Sequence, residues 1–165
     1  MNRQHRRAAG RTIRELGTLD HHFASALRDV RVAFDLNRYI CAQFRCVTAT
    51  GVFSIPAIWN DPNERAVAPA ALRETFRRRG VRYYIFVSEC WASEDPVVHP
   101  SEAADRTEHV QVFGAERGAC KYAMAEITRN EETATLGPWI ITAEAQEGWL
   151  SELLEDVAGS MLQLH

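Results

Sequence analysis

No apolar run in the 165 residues approaches the roughly 20 needed to cross a bilayer. The four cysteines, Cys41, Cys46, Cys90 and Cys120, form no C-x-x-C pair, and no Cys/His pair has the spacing of a zinc site. There is no glycine-rich phosphate loop, no dinucleotide fingerprint and no G-x-S-x-G elbow. Lysine is almost missing: Lys121 is the only one among 19 Lys and Arg residues. These gaps argue against a membrane span, a dithiol redox motif, a structural zinc site and the common nucleotide and hydrolase motifs. No metal and no cofactor is expected. The N-terminus is basic but lacks the apolar stretch of an export signal. The expectation is a cytoplasmic protein with reduced thiols.

What is present is an ordinary globular composition, 46% hydrophobic and 25% charged, in a chain long enough for one real core. The net charge of −3 is unevenly spread. Arg3, Arg6, Arg7, Arg11 and Arg14 share residues 1–14 with no acid, which leaves about −8 for the rest. From Thr142 onward stand Glu144, Glu147, Glu152, Glu155 and Asp156, without Lys or Arg. Residues 1–17 are read as a basic arm and 18–165 as a single domain.

Within that domain, Phe23, Leu27, Val30 and Phe34 fall on one helical face, with Asp20 as the expected cap and Asn37 as the stop. Leu19 is expected to staple onto Phe23. Tyr39–Val47 and Val52–Trp59 read as a strand pair, and Pro56 assigns the second to an edge or bulge. A helix follows to Arg79, with Leu72 and Phe76 inward and Gly80 as its stop. Val81–Val87 is almost wholly apolar, the pattern of a central strand covered on both faces. Glu108–Gly114 and Ala119–Arg129 read as a hairpin, Trp139–Thr142 as a short strand, and Leu150 to Met161 as a last helix. The expected fold is α+β: a mainly antiparallel sheet of about five strands with packed helices. Its order, helix-strand-strand-helix-strand-strand-strand-helix, is similar to that of roadblock/longin-type folds.

About fifteen mostly polar residues separate Val87 from the next strand pattern, and a connection that long is more often functional than accidental. Ser88-Glu89-Cys90-Trp91, Pro100-Ser101 and Asp105-Arg106-x-Glu108 lie in or beside it. This pattern resembles one found in small uncharacterised proteins of bacteria and tailed phages, which carry S-E-x-W, P-S and D-R-x-E. Those proteins have Ala where Cys90 stands here. The resemblance implies a phage or mobile-element class and no activity.

Two readings of the cluster are open. In the structural one, Arg106 pairs with Glu89 or Glu108 across strand ends, Trp91 covers the core edge, and Asp105 turns the loop. In the functional one, Glu89, His99, Asp105 and Glu108 converge for acid–base or metal-dependent work in a small hydrolase. A sharper variant makes Cys90 a nucleophile with His99 or His109 as its base. His21 and His22 are adjacent, so they point to different helix faces. Arg3, Arg7, Arg11 and Arg14 lie at helical spacing and could touch nucleic-acid phosphates. The plainer reading folds the arm onto the acidic C-terminal helix, in cis or across a dimer. The expected function is a non-catalytic protein-interaction module with an unidentified protein partner. A homo-oligomer fits the same reading.

Overall fold

The computed structural model describes residues 17–94, 97–142 and 148–155. The arm expected over 1–17 therefore lies outside the described residues except for Gly17, as do Val157 and Met161 of the expected last helix.

Helix α1 (Leu19–Asn37) starts two residues earlier than expected. Thr18 is the cap, its side chain accepting from the His21 N–H at 3.3 Å. Asp20 sits inside the first turn, where its charge suits the helix dipole, and it pairs with Lys121 at 2.7 Å. Leu19 is thus the first helical residue and is buried, not a staple outside the helix. Arg38 closes the helix in the left-handed region, φ 65°.

Helix α2 (Pro62–Arg79) has the bounds its caps dictate. Asp61 accepts from the N–H groups of Asn63 and Glu64 at 2.7 and 2.9 Å. Pro62 takes a position whose N–H would be unused. Gly80 ends the helix at φ 63°.

Among the described residues, seven strands form one antiparallel sheet: β1 (Gln43–Val47), β2 (Val52–Pro56), β3 (Tyr83–Ala92), β4 (Thr107–Glu116), β5 (Ala119–Arg129), β6 (Ala134–Leu136) and β7 (Ile140–Thr142). The order is β2-β1-β3-β4-β5, and β6 and β7 both pair with β5. Pro56 lies on the outer strand, where a missing N–H is tolerated. The strand count exceeds five because Ala134 and Leu136 bury one side of a three-residue strand, too short a signal to read beforehand. Residues 148–155 form successive turns, so the last helix expected from Leu150 does not begin there.

The sheet is covered on both faces. On one, Phe23, Ala26, Val30 and Phe34 of α1 pack on Ile85, Val87, Val110, Val112, Ala123 and Ala125. On the other, Leu72 and Phe76 of α2, with Leu153 and Leu154, cover an aromatic floor of Phe44, Tyr84, Phe86 and Phe113. Gly114 lets α1 approach the sheet: a Cβ there would stand 2.9 Å from Ile85 Cδ1 and 3.0 Å from Phe23 Cδ2. No helix among the described residues is long and apolar enough to cross a membrane.

Candidate functional site

The expected cluster lies at the far ends of β3 and β4. Ser88 to Trp91 do not leave the strand, as Val81–Val87 had implied, but extend it. Each has a partner on β4: Ser88 with Gln111, Glu89 with Val110, Cys90 with His109 and Trp91 with Glu108. Successive strand residues point to opposite faces. Glu89 and Trp91 therefore share the α1 face, and Ser88 and Cys90 share the α2 face. One short motif serves two surfaces.

On the α1 face the two acids converge on an arginine, but it is Arg129 and not Arg106. Arg129 Nε donates to Glu108 Oε2 at 2.7 Å and Nη2 donates to Glu108 Oε1 at 3.0 Å, a bidentate pair. The same Nη2 lies 3.3 Å from both Glu89 oxygens. Nη1 donates to the Arg38 carbonyl at 2.7 Å, and the Ile40 N–H donates to Glu89 Oε1 at 2.8 Å. The cluster thus fastens the chain leaving α1 to the sheet. The bonds to Glu108, and the charges of both glutamates, hold the Arg129 pKa above its ordinary value. Two further arginines clamp α1 to the segment around β6. Arg31 donates to the Leu136 and Gly137 carbonyls at 2.9 and 2.6 Å, and Arg38 to the Ala134 carbonyl at 3.1 Å.

Arg106 does something else. It begins the approach to β4, outside the ladder, and its guanidinium lies over the Trp91 ring at 4.9 Å. It also donates to the Ser101 carbonyl. The expected Arg106–Glu pair is thereby corrected: the fork that reaches both acids comes from β5.

The loop residues form their own set. Asp105 accepts from the Ser93 hydroxyl at 2.6 Å and the Glu94 N–H at 3.0 Å, the turning role expected of it. These bonds hold its carboxyl below the usual range, the Ser93 bond most. His99 Nδ1 lies 2.8 Å from Ser101 Oγ. Ala103 is buried, while Val97 is 88% exposed. Pro100 lies in the turn beside His99. Glu89 and Glu108 are thus brought together, with Asp105 and His99 engaged separately. Among the described residues no three His, Cys, Asp or Glu side chains could hold a metal ion.

On the α2 face, Gln111 Nε2 donates to Ser88 Oγ at 2.8 Å. Cys90 faces His109 across the ladder, but no hydrogen bond joins them: the buried His109 Nδ1 has no partner, and Nε2 lies 2.7 Å from Thr107 Oγ1. Burial pushes the Cys90 thiol up to about 11. A thiol held protonated in this way is a poor nucleophile. Cys41, by contrast, is exposed.

Sequence reasoning missed Arg129. The hairpin register could have found it, because Glu108 pairs with Ile127 and the diagonal neighbour two residues on is Arg129. Arg3, Arg7, Arg11 and Arg14 lie outside the described residues. Compared with protein-family models, curated proteins and solved structures, the chain matches none.

Proposed function

We propose that the chain is a non-catalytic protein-interaction module of the cytoplasm, and that the described residues 97–106 between β3 and β4 form its contact surface. The observation that carries this reading is the mounting of Val97. Asp105 ties the start of the connection to its end, through Ser93 and Glu94. Arg106 ties Ser101 to Trp91. Val97 stands 88% exposed beside that braced segment, and Val98 is exposed too, at 37%. An apolar side chain held outward on a braced polar loop suits insertion into a partner's apolar pocket.

The hydrolase or metal-dependent alternative draws on carboxylates that Arg129, Ser93 and Glu94 already engage. The nucleic-acid alternative rests on the arm. The phage or mobile-element class follows from the S-E-x-W pattern alone, and the likeness to roadblock/longin-type folds from element order alone.

Photo-crosslinking tests the proposal. A photoreactive side chain at position 97 of the full chain, irradiated in extract of the source cells, should give one discrete adduct. Excess unlabelled protein should compete it away, and excess Val97→Asp protein should not. An adduct that either competitor removes equally, or none at all, would discard the loop as the contact surface.

A further inference from the structure

We infer that β2 is a dimerisation edge that pairs with the same strand of a second copy, independently of the loop reading. The hydrogen bonds Ala57 N–H to Ala42 O at 2.8 Å and Thr48 N–H to Gly51 O at 2.9 Å bracket the β1–β2 ladder. With that register, Phe53 and Ile55 direct their backbone groups at β1. Those of Val52, Ser54 and Pro56 face outward, and among the described residues no strand meets them. The opposite edge is divided into two strands of three residues, with Gly137 and Pro138 between them. Among the described residues, only β2 offers a regular edge.

The outward groups are self-complementary about Ser54. A two-fold axis there sets Ser54 against Ser54 and Val52 against Pro56 of the other copy. The Ser54 pair exchanges two bonds, and each Val52 N–H donates to a Pro56 carbonyl. The missing Pro56 N–H removes one bond from each end of the seam and discourages registers that run past it.

Side chains above the edge follow the same symmetry. Arg79 lies over the Phe53 ring at 3.6 Å, and Glu64 binds Asn60 beyond the other end of β2. Helix α2 therefore runs antiparallel to β2, acidic near Asp61 and Glu64 and basic at Arg78 and Arg79. Its side towards the edge presents Val67, Ala71 and Thr75, which with Ile55 and Ile58 line an apolar groove. Val67 is 64% and Ile58 72% exposed. The two-fold axis sets these small-residue stripes side by side and brings the acidic end of each helix to the basic end of the other. A second copy supplies this charge match by symmetry.

Sedimentation equilibrium of the full 18.7 kDa chain tests this. A dimer is expected at tens of micromolar, on the scale of a modest interface. Ser54→Pro removes the N–H at the centre of the seam without touching the β1 ladder. It should weaken the dimer at least tenfold and leave the melting curve unchanged at dilutions where the wild type is also monomeric. Arg79→Glu should also dissociate it, and Arg79→Glu with Glu64→Arg should restore it, which decides the matter if Ser54→Pro folds poorly. A wild-type monomer at several hundred micromolar would overturn the inference. So would a dimer indifferent to these changes, or a monomer whose β2 edge takes up an unrelated extended peptide.

Discussion

At the residue scale, Arg129 fills the place between two acids that the sequence reading assigned to Arg106. Its fork neutralises two half-buried carboxylates and holds the Arg38 carbonyl. Arg129→Ala should therefore lower unfolding free energy by roughly 1–3 kcal/mol, read from denaturant midpoints, because it leaves Glu89 and Glu108 side by side without a cation. Arg129→Lys should recover less than half, since an ammonium cannot fork across both acids. Arg106→Ala should cost under about 1 kcal/mol, the scale of an exposed cation–π contact. Equal losses at the two positions would contradict this division. Cys90 gives a second residue-level test. With its thiol pushed up to about 11 by burial, it should alkylate far more slowly at pH 7.5 than the exposed Cys41. Mass mapping that finds Cys90 modified first would revive the nucleophile reading.

At the scale of elements, the parts most legible in the sequence were those with strong punctuation. Helix α2 ended where Arg79-Gly80 required, and β5 occupied Ala119–Arg129 as its alternation implied. The end of β3 was misread because Ser88, Glu89 and Cys90 look like a strand giving way to a loop. Polar residues were permitted there because each meets a partner fixed by tertiary pairing, Ser88 with Gln111 and Glu89 with Arg129. Such pairings depend on register and leave no local mark. Arg106 was misassigned for the same reason, since nearness in sequence to Glu108 did not make it the neighbour of Glu108 in space. The loop between β3 and β4 carries its own pH prediction. Asp105 titrates below the ordinary carboxylate value of about 3.9 because Ser93 and Glu94 donate to its ionised form. A depressed pKa gives stability that is present above the unfolded value and lost as pH falls through the folded one. The Asp105–Glu94 tie should therefore persist from pH 8 down to about 5 and open only in stronger acid. An NMR titration of the Asp105 carboxyl carbon checks this, and a midpoint above 4 would contradict it.

For the whole molecule, the two-sided sheet separates what holds the fold from what it presents. Both core clusters draw on residues between Leu19 and Leu154. Deleting residues 1–14 should accordingly leave a single cooperative thermal transition, and its loss would assign the arm a structural role. The α1 face carries the arginine clasp, and the loop beyond it carries Val97. If the clasp is structural and the loop is the contact surface, stability and binding should come apart under substitution. The direct measurement takes Arg129→Ala and Val97→Asp through the same two assays, denaturant midpoint and yield of the adduct from a photoreactive group at position 98. Arg129→Ala should lower the midpoint and keep the adduct while folded, whereas Val97→Asp should keep the midpoint and lose the adduct. The account is contradicted if folded Arg129→Ala keeps its midpoint yet loses the adduct, because the acids and their arginine would then be the working surface.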